Sequence, residues 1–262
     1  MTETTTYNEL MAVVIDAPFV NPSSTGLYAA TSWTEEAGPP RWLADGVRIR
    51  PWNYGGGNSF GVWGQPWCGE PGSDEQELKT GTRPDMEPDP FQPMTVWAYD
   101  ECDLTAPSRA EVRARAQQVL RLEEQTAVER SFAARLLLDA EVIASRPTLA
   151  EAIGYLEGEL SKTNTMGLIH AGAHLASDLG SHLVFSSGVG QRSILGHRYV
   201  FGGGYVEGLG STLVATSPVF GWRDAVALRE TVDAQRNTFV AIAERSVVVG
   251  YEHLVAAVAV VA

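Results

Sequence analysis

The chain has 262 residues, 44% of them hydrophobic, which allows one sizeable core or two small ones. Nineteen basic residues stand against 32 acidic ones, a formal net charge of −13, and no basic face of the kind a nucleic-acid reader carries can be traced. Its two cysteines, Cys68 and Cys102, form no C-x-x-C pair and join no Cys/His array with zinc spacing.

The opening residues, MTETTTYNEL, have neither the basic start nor the apolar stretch of a signal peptide. No apolar run approaches the ~20 residues of a membrane span, so the expectation is a chain made and used inside a cell, with no membrane partner. A reducing compartment would leave the two cysteines as thiols, with a disulfide between them the minority alternative. A short strand is predicted at Met11 to Phe19, followed by turn residues up to about residue 50. Residues 51–104 hold four of the seven tryptophans among many Gly and Pro, with little helical period. Local structure supplies little burial for those indoles. Trp63 and Trp67 are therefore expected to pack against another element or another subunit. The polar stretch 71–90 reads as an exposed loop or hairpin tip.

An uninterrupted helix is predicted from Ser108 to Ala140. Pro107 suits a first turn, where its missing N–H costs nothing, and Ser108 with Glu111 reads as a capping box. No Gly or Pro follows until Pro147. At 1.5 Å per residue the rod spans roughly 50 Å. A compact domain of this length has a radius of gyration of only about 18 Å. The implication is an extended molecule completed by its neighbours. Val112, Ala116, Val119, Leu120, Ala127, Phe132, Leu136 and Leu137 form the apolar stripe. A second helix, Leu149 to Leu160, starts at Thr148, with Glu151 completing another capping box.

Beyond Thr165 the pattern is of short strands. These are Met166–Ala171, Leu183–Ser186, Ser193–Leu195, Tyr199–Phe201 and Leu213–Ala215, with a helix possible at Ala173–Leu179. Gly188, Gly190, Gly196 and Gly202–Gly204 separate several of them and read as hairpin turns. Ala225–Ala243 is expected to be mostly helical, ahead of strands near Ser246–Val249 and Leu254–Val260. The fold class is α+β.

Chemical motifs are sparse. His170 and His174 lie four apart, a spacing that binds metal on a helix, but the glutamate of a metalloprotease motif is missing. A strand over the first of them would also keep the rings off a common face. Two structural histidines is the favoured reading, with a small metal-dependent hydrolase as its rival. Gly188-Val-Gly190 lacks the third glycine of a dinucleotide fingerprint, and Gly202–Gly204 is not followed by Lys and Ser or Thr. No Gly-x-Ser-x-Gly elbow exists. No cofactor is expected.

The order of elements resembles the major capsid protein of tailed bacteriophages, the Hong Kong ninety-seven type fold shared with encapsulin shells. The likeness covers most of the chain. Ser193-Ile-Leu-Gly-His-Arg-Tyr-Val200 resembles that family's leu-leu-gly-x-pro-val phrase, with His197 where proline is common. Glu244-Arg245 followed by Val247–Val249 and a final apolar strand resembles its closing segment. The resemblance implies an N-terminal arm at 1–50, an extended hairpin loop at 51–104 and a peripheral domain with a spine helix at 105–147. An axial domain at 148–230 and a return to the peripheral domain at 231–262 complete the division. It implies a structural protein that self-assembles in the host cytoplasm, as hexamers and pentamers, into an icosahedral shell around double-stranded phage DNA. The DNA would be contacted non-specifically. Scaffolding, portal and decoration proteins would be separate partners, since no scaffolding segment precedes the arm. An encapsulin-type shell around a cargo protein is the alternative.

Some members of that family join subunits through an isopeptide bond between a loop lysine and a peripheral asparagine, assisted by a glutamate. The resemblance makes Lys79, Asn237 and Glu244 the candidates here. A neutral amine would attack the carboxamide, ammonia would leave, and the carboxylate would take the proton.

Overall fold

The computed structural model describes residues 13–38, 40–54, 59–64, 68, 79–83, 85–180, 184–186 and 190–261. The strand expected at Met11–Phe19 does not form. Met11 lies outside the described residues, and residues 13–25 run exposed without regular structure, because no described strand pairs with them to complete a ladder. A single helical turn, α1 (Leu27–Ala30), follows, then a short strand, β1 (Thr31–Glu35). A 3₁₀ turn at Arg41–Leu43 buries Trp42. Of the segment expected to be loop, Met94–Asp103 forms a ten-residue strand, β2.

The long helix, α2, runs over Ala106–Asp139, 34 residues or about 51 Å. Its cap is Thr105, not Ser108. Pro107 lies inside the first turn, so the cap moves back, and Thr105 Oγ1 accepts from Ser108 N–H. Val112, Ala116, Leu120, Glu124, Val128, Phe132 and Leu136 are buried, each four residues after the last. Val119, expected in the stripe, is 43% exposed. Four residues turn an α-helix through 400°, so the buried line precesses by about 40° per step and roughly 240° over the helix. One rod can thereby pack against two differently placed layers.

It does so. After α2 come β3 (Ile143–Arg146) and α3 (Leu149–Thr163). The expected box at Thr148 is present: its hydroxyl accepts from Glu151 N–H at 3.3 Å and meets the Glu151 carboxylate at 3.2 Å. Then follow β4 (Leu168–Gly172), β5 (Val184–Ser186), β6 (Gly190–Arg192), β7 (Arg198–Gly202), a short helix α4 (Gly204–Gly208) and β8 (Thr212–Thr216). The chain closes with β9 (Val219–Arg223), β10 (Ala227–Asp233), β11 (Thr238–Tyr251) and β12 (Leu254–Val260). One sheet has β11 at its centre, with β2 along one side and β10 and β9 end to end along the other, and β1 beyond β9. The other sheet has the order β3-β12-β8-β4-β7-β6-β5.

The first half of α2 packs Val112, Ala116 and Leu120 on Ala98 of β2 and on Phe239, Ala241 and Ala243 of β11. Its second half packs Val128, Phe132 and Leu136 among Leu27, Val200, Val214, Val248 and Ala257, so both sheets meet on it. On the second sheet, α3 contributes Ile153, Leu156 and Leu160 to a core with Ile169, Leu213 and Val258.

Four further expectations are corrected. Ser193–Leu195 is the turn between β6 and β7, not a strand; Gly196 there takes φ +95° and its N–H donates to Ser193 O. Gly202–Gly204 is no hairpin but leads into α4, which crosses α2 closely. A Cβ on Gly204 would meet Thr126 O at 2.2 Å, and one on Gly208 would meet the Ala133 methyl at 2.5 Å. Ala173–Ala176 is a 3₁₀ turn, short of the helix expected to Leu179. Ala225–Ala243 is not helical. It forms β10, a turn and the first half of β11, where ladders to β10 and β2 on both flanks override the helix-forming residue types.

Candidate assembly surfaces

The N-terminal segment is fastened to α2 by two buried acids. Glu129 is fully buried, and its carboxylate accepts from Leu27 N–H, Gly204 N–H and the Gln125 side-chain amide, each at 2.9 Å. Among the described residues it has no ion-pair partner. Burial pushes its pKa up, and the backbone bonds from Leu27, Gly204 and Gly203 pull it back only in part. Glu124, one turn earlier, accepts from the Tyr28 hydroxyl at 2.6 Å and lies 3.4 Å from Arg245 of β11. Glu129 thus ties α1, the spine helix and the β7–α4 junction into one joint. Nothing in the sequence distinguishes it from the other acids of a charged helix.

The loop that leaves at residue 55 has a rigid root. Glu252, in the turn between β11 and β12, accepts from the backbone N–H groups of Trp52 and Asn53 and from Asn53 Nδ2. Burial pushes the Glu252 carboxyl up, but the combined bonds from residues 52–54 outweigh it and hold the group below the usual range. Tyr54 stacks on His253 with ring centroids 5.1 Å apart, and its hydroxyl lies 2.8 Å from Thr165 Oγ1. At the root Trp52 is 76% exposed, and beyond it Phe60 is 83%, Val62 93% and Trp63 40% exposed. Trp67 lies outside the described residues.

Lys79 is exposed, with Nζ 4.4 Å from the centroid of the Trp63 ring, a cation–π contact. Asn237 closes the β10–β11 turn at φ 53°, a left-handed conformation that asparagine tolerates. The turn itself is built by Asp233, whose Oδ1 accepts from Gln235 and Arg236 N–H. Glu244 lies well inside β11, opposite Ala227 of β10 and Trp97 of β2, and is paired with Arg229 at 2.8 Å. Seven residues of extended chain separate Asn237 from Glu244 by about 23 Å. Within one copy the asparagine and the carboxylate therefore do not meet.

His170 is fully buried on β4 with both ring nitrogens occupied. The Thr216 hydroxyl donates to Ser217 O at 2.8 Å, so it accepts from His170 Nε2–H at 2.9 Å. That leaves Nδ1 to accept from the Tyr205 hydroxyl at 3.1 Å. Burial lowers the His170 pKa to about 3, so the ring is neutral. His174 is exposed on the following 3₁₀ turn. The two rings share no face and the metal-dependent hydrolase loses its first ligand. Cys68 and Cys102 are both exposed free thiols.

No family model matches this chain, and no curated protein does. Solved structures do. The capsid of an empty GTA particle aligns over 97% of this chain and 94% of its own, at TM-score 0.56 and 9% identity. The capsid of a native GTA particle aligns over the same shares at TM-score 0.52 and 8% identity. A chain from Mycobacterium phage Bobi covers 100% of this one and 96% of its own, at TM-score 0.49 and 11% identity. The chain shares the α+β fold of these GTA capsid subunits, the fold expected from the order of its elements.

Proposed function

We propose that this chain is a major capsid protein, a structural subunit that self-assembles into an icosahedral shell enclosing double-stranded phage DNA. The observation that carries the reading is alignment with a capsid subunit over nearly the whole length of both chains. The surfaces point the same way: an exposed apolar arm and a loop with solvated indoles are costly in a monomer and are what a neighbour would bury, at about 25 cal/mol per Å². Hexamers and pentamers of the chain are the proposed capsomers, with Trp63 and Trp67 in contacts between copies. We assign the long helix and the five-stranded sheet to the peripheral domain, and α3 with the seven-stranded sheet to the axial one. Residues up to about 50 form the arm, whose strand β1 adds to the edge of the five-stranded sheet beside β9. The extended loop narrows to about 51–93, since β2 belongs to a sheet. Lys79, Asn237 and Glu244 are the proposed cross-linking set, with the carboxylate supplied by a different copy from the asparagine. Light scattering and negative-stain microscopy of the expressed chain test the assembly reading. Capsomers or closed particles are expected; a monodisperse 28.3 kDa monomer under all conditions would overturn it.

A further inference from the structure

Two parts of the chain are unfinished in complementary ways. The first is the extended segment 13–20, where Val13 is 86% exposed, Val14 88%, Ile15 82%, Phe19 66% and Val20 59%. It leaves the long helix where Gln118 Nε2 donates to Val20 O and Arg121 binds the Asn21 amide oxygen. The second is the outer edge of β2. All ten residues, Met94 to Asp103, pair with β11 on one side, and no described strand lies on the other. The remaining free edges are shorter: β10 has seven residues, β1 five, β3 four and β5 three. On the face of β2 turned away from α2, Trp97 is 66% and Tyr99 45% exposed. A long, open edge flanked by exposed aromatics is a template for another strand.

We propose that residues 13–20 of one copy add as a strand to the outer edge of β2 in a second copy. The proposal rests on the self-assembly reading and names the partner of one of its surfaces. The lengths match: eight extended residues span about 26 Å and the ten of β2 about 33 Å. Stereochemistry selects one pairing row. Successive residues of a strand direct their backbone N–H and C=O to opposite sides. Pro18 has no N–H, so its row, with Val14, Asp16 and Val20, must face away from the ladder. The pairing row is then Val13, Ile15, Ala17 and Phe19. Those four side chains also share one face of the strand, and all four are apolar, so that row can lie beside Trp97 and Tyr99. The second copy is the occupant because the arm in this structure leaves its own β2 edge open.

Amide hydrogen exchange on the full chain, as assembled particles and as dilute subunits, tests this with two substitutions in the exposed arm. In wild-type particles, residues 13–20 and 94–103 should exchange about tenfold or more slowly than in subunits. Ala17→Pro removes an N–H from the pairing row and should abolish that slowing. Val14→Pro, in the row facing away, should preserve it. Identical behaviour of the two variants would overturn the proposal, as would equal protection of β2 in dilute subunits, the mark of an arm folded onto its own chain. Intact particles in which β2 exchanges freely overturn this proposal alone. Absence of any particle overturns the shell reading and this proposal together.

Discussion

Glu129→Gln changes one atom type in a site where three donors converge at 2.9 Å. A carboxylate accepts all three. An amide offers one oxygen and turns an NH₂ toward the remaining donors, so one or two charge-assisted bonds are lost, each worth about 1.5–3 kcal/mol. Relief from burying a charge offsets part of this, because desolvation already raises the Glu129 pKa. The net cost is about 2 kcal/mol at neutral pH, or a fall in Tm of about 5 °C for a chain of this size. Calorimetry of the dissociated subunit measures it. The pH dependence carries a sign. A carboxyl with a folded pKa above its unfolded value contributes stability that is lost as pH rises through the folded pKa. Between the raised pKa and the ordinary value of 4.5, acidification should therefore stabilise the wild type relative to the variant and widen the gap. A variant within about 0.5 kcal/mol of wild type at neutral pH, or a gap that narrows on acidification, would refute the account of a buried anion held by its donors.

Gly204→Ala should cost about 3 kcal/mol, because its methyl would lie 2.2 Å from Thr126 O and α4 would have to lift off α2; urea denaturation checks it, and a neutral substitution would deny the close crossing. In boiled, denatured mature particles the proposed Lys79–Asn237 bond should give ladders on a gel. Lys79→Arg should reduce them to a single 28.3 kDa band while particles still form, and a single band from the wild type would rule the bond out.

The spine helix was legible because its four-residue spacing and freedom from Gly and Pro are properties of consecutive residues. Its first turn was displaced by two residues because Ser108 with Glu111 matches a capping box, whereas Thr105 supplies the cap and Pro107 lies inside the turn. Ala225–Ala243 misled for the opposite reason. Ala, Leu, Arg, Glu and Gln are helix formers, yet Ala241 and Ala243 are buried as alternate residues of a strand by contacts with α2, which lies over a hundred residues earlier. The cross-link candidates rest on the resemblance alone; the fold adds that Asn237 and Glu244 stand apart along β11, which is why the carboxylate is proposed to come from a different copy. The lack of local burial for Trp63 was legible in composition, since a segment rich in Gly and Pro builds little core of its own. Glu129 and Glu252 left no trace in the pattern, because what marks them is the backbone N–H groups of residues 102 and about 200 positions away.

The position of β11 and β12 in their sheets has a consequence for synthesis. β11 is the strand to which β2, β9 and β10 all attach, and β12 joins β3 to β8. Both lie within residues 238–260, so a ribosome has made every other element before either sheet can close. Until then β2 and β3 lack their ladder partners, and the second half of α2 lacks Val248 and Ala257 to pack against. A chain cut before residue 238 therefore lacks the strand that closes each sheet, and both sheets complete only after all the elements that precede β11 have been made.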